Sequence, residues 1–142
     1  MQTVQQLQVK KGNEVHAVGP DASVVDAIRK MAEHDVGALV VLDDDKLVGI
    51  FTERHYAREV FLKGRRSPTT PVREIMSTHV MCVRPEETVD ECMAVMTDKH
   101  VRHLPVLDQG KLIGIVSIGD LVKSKNADQQ FVIDQLVQYI QR

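Results

Sequence analysis

Val18–His55 reads VGPDASVVDAIRKMAEHDVGALVVLDDDKLVGIFTERH, and Val83–Asp120 reads VRPEETVDECMAVMTDKHVRHLPVLDQGKLIGIVSIGD. The second stretch lies 65 residues after the first and aligns with it without a gap, 13 of the 38 pairs being identical. Conservative pairs such as Ser23 with Thr88, Asp26 with Glu91 and Val48 with Ile113 extend the match. One supersecondary unit is therefore used twice. Two units of this size, each with an apolar face, are expected to bury those faces against each other.

Hydrophobic periodicity changes in the same order within each copy. Val15 and Ala17, like Val80 and Cys82, alternate with polar or solvent-tolerant neighbours and read as short strands. Ser23…Asp26 and Thr88…Glu91 each place an acid three residues after a hydroxyl, the arrangement that caps a helix N-terminus. Val24, Ala27, Ile28 and Met31, and again Val89, Cys92, Met93 and Met96, then follow helical spacing. Ala38–Leu42 and Leu104–Leu107 read as buried strands, turned by Asp43–Asp45 and Asp108–Gly110 into Leu47–Phe51 and Leu112–Val116. Each copy is thus expected to be β-α-β-β-α, with Pro105 at a strand start or edge because it brings no N–H to the ladder.

The expected organisation is a first module over residues 13–63, a linker over 64–75, a second module over 76–125 and a C-terminal amphipathic helix over 126–142. Phe131, Val132, Ile133, Leu136, Val137 and Ile140 give that last helix an apolar face expected to dock on the body or on another copy. A short helix ending at Lys11–Gly12 is expected near the N-terminus.

Composition excludes several function classes. At 142 residues, 43% hydrophobic and 27% charged, the chain can bury a core without metals or disulfides. A net charge of -2 gives no general attraction to nucleic acid or anionic membrane, no helix-turn-helix is visible, and the basic residues form no long stripe. The longest aliphatic run, Ala38–Leu42, is far too short to span a membrane, and the N-terminus lacks a secretory layout, so a cytoplasmic protein is expected. Cys82 and Cys92, with no CxxC spacing, read as buried thiols in a reducing compartment. Catalysis is disfavoured: there is no P-loop, GxSxG, HExxH or glycine-rich dinucleotide motif.

The repeated unit, the HLPV segment at His103–Val106 and the tails GIFTERH and GIVSIGD resemble the cystathionine-β-synthase (CBS) domain over roughly residues 13–125. The resemblance is strongest to bacterial proteins made of one CBS pair. It implies an α/β (α+β) fold of two modules related by a pseudo-two-fold axis, the arrangement known as a Bateman module, with two clefts between them and frequent homodimers. It also implies a non-enzymatic energy-sensing role, in which AMP, ADP, ATP, NAD or S-adenosylmethionine binds as a regulatory ligand and an unidentified effector protein reads the ligand-bound state.

On this resemblance Asp120, just after a strand, is the expected acceptor of the ribose hydroxyls. Ser117 donates to a ribose or phosphate oxygen, and Ile118 and Gly119 open a helix whose N–H groups and dipole suit an anion. Val80, Met81, Cys82, Val101 and Pro105 are the expected adenine walls, and Arg102 and His103 could face phosphate. The first copy departs from the pattern, because Thr52-Glu-Arg-His55 puts a histidine where the second has Asp120, and an imidazole cannot accept a diol in the way a carboxylate can. Three readings stay open there: an empty cleft, a different pose with Arg54 or Arg58 on phosphate, or a second ligand. Lys63, Arg65 and Arg66 could close over phosphates or could be a solvated loop.

Two further alternatives stand beside the nucleotide sensor. His100-x-x-His103, with the cysteines in the same half, suggests a metal or haem sensor, although no third ligand follows at regular spacing. A structural or partner-regulating pair without ligand is the other; His55 fits it, and the intact Ser117 and Asp120 oppose it.

Overall fold

The computed structural model describes residues 2–12 and 14–140. In chain order the elements are α1 (Val4–Lys11), β1 (Ala17–Val18), α2 (Val24–His34), β2 (Ala38–Asp43), β3 (Lys46–Thr52) and α3 (Glu53–His55), which runs on as a π-helical turn over Tyr56–Phe61. A 3-10 turn at Val72–Glu74 follows, then α4 (Val89–Lys99), β4 (His103–Asp108), β5 (Lys111–Ser117) and α5 (Ile118–Ile140). The chain forms two compact units, one over residues 14–81 and one made of the N-terminal segment through residue 12 with residues 82–140.

The helices begin where the hydroxyl-and-acid pairs stand. Thr88 Oγ1 accepts the Glu91 N–H at 3.1 Å while Glu91 accepts the Thr88 N–H at 3.3 Å. Ser23 accepts the Asp26 N–H at 3.2 Å. Both helices end on a residue with left-handed backbone, Asp35 (φ 52°) and its repeat partner His100 (φ 56°). The hairpins also match: Ala38 pairs with Thr52 and His103 with Ser117, each with an irregularity at the same place, Val41/Leu42 and Val106/Leu107.

The cores repeat position for position. Val24, Ala27, Met31, Leu39, Val41 and Phe51 are buried in one unit, and Val89, Cys92, Met96, Leu104, Val106 and Val116 are buried in the other. Each unit is completed by the segment that precedes the other copy. Val72 and Ile75 fill the first-copy core, and Val4 and Leu7 of α1 fill the second. The backbone ties correspond as well: Val24 N–H donates to Thr70 and Val72 N–H to Ala22, just as Val89 N–H donates to Gln2 and Val4 N–H to Glu87. TVQQLQ (3–8) is therefore the counterpart of PVREIM (71–76) at an offset of 68, three more than in the main repeat.

The structure changes two details of the expected β-α-β-β-α unit. In the first copy, β1 holds only Ala17 and Val18, paired parallel to Val40 and Val41; Val15 lies outside it. In the second copy the matching strand is reduced to one bridge, Val83 with Val106, and Val80 and Cys82 lie outside it. The cause is Pro105. In the first copy Val40 N–H donates to the His16 carbonyl at 3.2 Å, and Pro105, at the matching place within β4, has no N–H to give. Only the bonds from Val83 N–H to Pro105 and from Leu107 N–H to Val83 remain.

The C-terminal segment also differs from expectation. It is not a separate helix but the continuation of α5, unbroken from Ile118 to Ile140. Its apolar residues Phe131, Val132, Ile133, Leu136, Val137 and Ile140 are between 47% and 79% exposed, so the described residues leave that face uncovered.

Candidate functional site

The turn from β5 into α5 is built by a reciprocal pair. Ser117 N–H donates to Asp120 Oδ2 at 2.9 Å, and Asp120 N–H donates to Ser117 Oγ at 3.1 Å. This is the capping arrangement seen at Thr88 and Glu91, so the proposed ribose acceptor also starts a helix. Ile118 N–H donates back to the Arg102 carbonyl at 2.9 Å, which brings the entrance of β4 beside the start of α5. Ser117, Ile118, Gly119, Asp120, Arg102 and His103 are thereby collected at one end of the second-copy hairpin.

Lys11, absent from the sequence-derived site, completes the group. Its Nζ donates to Asp120 Oδ2 and to the Ile115 carbonyl, both at 2.6 Å. Burial pushes the Asp120 carboxyl upward, but the Lys11 ammonium and the Ser117 hydrogen bonds outweigh it and hold the group below the ordinary carboxylate value. His103 is held low, first by burial and then by Lys11 and Arg102, against an upward pull from Asp120. At neutral pH these directions leave Asp120 an ionised carboxylate and His103 a neutral imidazole.

The remaining expected walls are distributed differently. Pro105 is buried within β4. Cys82 lines a separate hollow of about 860 Å³ at the other end of the hairpin, with Glu86, Glu87, Glu91 and Asp108 against the single cation Arg84, a mainly acidic lining that disfavours phosphate. Val80 and Met81 belong to the first-copy unit. Cys92 is a packing group: burial and the nearby Glu87 and Glu91 push its thiol up to about 11.

The first copy reproduces the turn with different chemistry. Thr52 N–H donates to His55 Nδ1 at 3.0 Å, and His55 N–H donates to Thr52 Oγ1 at 3.2 Å. A ring nitrogen that accepts carries no proton, so the neutral His55 keeps its hydrogen on Nε2. Burial, with Arg54, lowers the His55 pKa against the pull of Glu59. The turn therefore offers a donor where the second copy offers a carboxylate. Arg54, Arg58, Lys63, Arg65 and Arg66 are all solvent-exposed, and Lys63 is paired with Glu59 at 2.6 Å.

Among the described residues, no group of three or more His, Cys, Asp or Glu side chains is placed to hold a metal ion. His100 serves as the left-handed cap of α4, while His103 starts β4. No described helix is long and apolar enough to cross a membrane.

A mixed α/β unit used twice, with a hydroxyl-headed turn opening the last helix of each copy, defines a tandem-module protein. The family model for the CBS domain matches residues 10–61 and 72–126, and the chain belongs to that family as a tandem CBS pair. It is 40% identical over 126 residues to the mitochondrial CBS domain-containing protein CBSX3 of Arabidopsis thaliana, covering 85% of this chain and 61% of that one. It is 33% identical over 116 residues to the CBS domain-containing protein YhcV of Bacillus subtilis, covering 82% of each. A solved CBS-domain protein from Burkholderia ambifaria superposes with a TM-score of 0.86 at 53% identity, covering 89% of this chain and 96% of that one.

Proposed function

We propose that this chain is a non-enzymatic regulatory protein that binds an adenosine nucleotide, AMP, ADP, ATP or NAD, at the Ser117–Asp120 turn. The observation that carries this reading is the held, ionised Asp120 carboxylate at a helix start, bonded to the Ser117 turn and to the Lys11 ammonium. A diol can donate to such a carboxylate, and the first N–H groups of α5 suit a phosphate. The Burkholderia relative is described as a candidate signal-transduction protein. The CBS domain pair of MJ0100, which shares the fold at 21% identity and a TM-score of 0.77, is solved with 5′-methylthioadenosine and S-adenosylmethionine. An enzymatic role gains no support from the match to the inosine-5′-monophosphate dehydrogenase of Methanocaldococcus jannaschii, of which the chain covers 26%.

Signalling in this reading is a population shift. The nucleotide stabilises one arrangement of the chain or of a homodimer, a partner protein in the cytoplasm reads it, and the shift is limited by the ligand's differential affinity for the two states. The first-copy turn, with His55, binds nucleotide weakly or in another pose. The test is calorimetric titration of AMP into the chain and its Asp120→Ala variant. Loss of binding in the variant supports the assignment, and unchanged affinity removes it.

A further inference from the structure

We propose that Lys11, outside the repeated stretches, is a specificity-determining residue of the nucleotide site and reads the ribose diol together with Asp120; this rests on the nucleotide reading above. A lysine ammonium has three N–H donors. Two are used, on the Ile115 carbonyl and on Asp120 Oδ2. Ser117 N–H also goes to Oδ2. Among the described residues nothing occupies the third ammonium N–H or Asp120 Oδ1. The two side chains are 29% and 24% exposed, so an incoming molecule can reach them.

The pair therefore presents one free donor beside one free acceptor, on a couple whose charges cancel. A phosphate, all acceptor, gains the ammonium and is repelled by the carboxylate. An amine meets the reverse. Two neighbouring hydroxyls suit both partners, one donating to Oδ1 and the other accepting from Nζ, because each hydroxyl can donate and accept. The first-copy turn lacks the couple, having an imidazole in place of the carboxylate. Anchoring to the Ile115 carbonyl fixes the ammonium before a ligand arrives, which lowers the ordering cost of binding.

The test is calorimetric affinity of the full chain and its Lys11→Met, Lys11→Arg and Asp120→Ala variants for AMP, 2′-deoxy-AMP and 3′-deoxy-AMP. The wild type is expected to bind AMP more tightly than either deoxy analogue. Lys11→Met is expected to weaken AMP about tenfold, the size of one charge-assisted hydrogen bond, and to lose discrimination against one deoxy analogue. Lys11→Arg is expected to retain part of both. A purely structural lysine would leave the analogue ratios unchanged. AMP binding in Lys11→Met as tight as wild type or tighter, with binding still lost in Asp120→Ala, overturns the role of Lys11 and leaves the nucleotide site standing. No AMP binding by the wild type overturns the nucleotide reading and Lys11 with it.

Discussion

A methyl group placed on Gly49 would lie 2.9 Å from the carbonyl oxygen of Ser77. That carbonyl cannot retreat freely, because it accepts the Ile50 N–H at 3.0 Å while Ser77 N–H donates to Ile50 at 3.0 Å. At the repeat partner Gly114 the obstacle is the Gln8 side-chain amide, a flexible group. Gly49→Ala is expected to destabilise the protein by about 1–3 kcal/mol, as overpacking does, and Gly114→Ala by less. Urea unfolding of the two variants checks the order, and equal or reversed losses contradict it.

Gln8 supplies the second prediction. It is 5% exposed, its Nε2 has no hydrogen-bond partner among the described residues, and its counterpart in the other unit is Met76. An unpaired buried donor costs about 1–3 kcal/mol. Gln8→Met is expected to raise the unfolding free energy by about 1 kcal/mol, seen as a higher urea midpoint; a lower midpoint would show that the amide has a partner.

The two hairpin turns differ in one decisive residue. Asp44 and Asp45 both have positive φ, 48° and 66°, as do Gln109 and Gly110 at 51° and 81°. Two-residue hairpins of this hand favour glycine at the second central position. Asp45→Gly is expected to raise stability by roughly 0.5–1 kcal/mol, measured by thermal unfolding; a fall of that size would refute the turn assignment.

Much of this was legible in the repeat. An offset of 65 carries the core pattern, the caps at Ser23 and Thr88 and the two hairpins, because local chemistry and periodicity agree at those positions. The pairing of TVQQLQ with PVREIM was not, since it shares one identical residue and the offset changes by three. The loss of the second first strand follows from Pro105, yet the sequence alone does not show that the missing N–H faced that neighbour. Ser117…Asp120 carried the same hydroxyl-to-acid spacing that marked the other helix starts, so its capping role could have been read. Lys11 could not, because only tertiary packing brings α1 to β5.

His55 and His103 make stability depend on pH. Both are held below the ordinary imidazole value of 6.5, chiefly by burial. A depressed pKa means that the unfolded chain binds more protons, so this contribution is complete above about pH 6.5 and is lost as pH falls through the folded values. Protonation also puts a hydrogen on Nδ1, where Thr52 now donates. The unfolding midpoint is expected to drop between pH 7.5 and 5.5, and less steeply in His55→Asn. A wild-type midpoint that stays flat or rises would contradict the assignment.

The most direct measurement is the number of AMP molecules bound per chain at saturation, counted by calorimetry on ligand-free protein. One per chain, abolished by Asp120→Ala, is the predicted result, because only the second-copy turn has a carboxylate at the position that caps the helix, where the first has His55. No saturable binding would contradict the nucleotide reading, and two equivalent sites per chain would contradict the asymmetry assigned to His55 and Asp120.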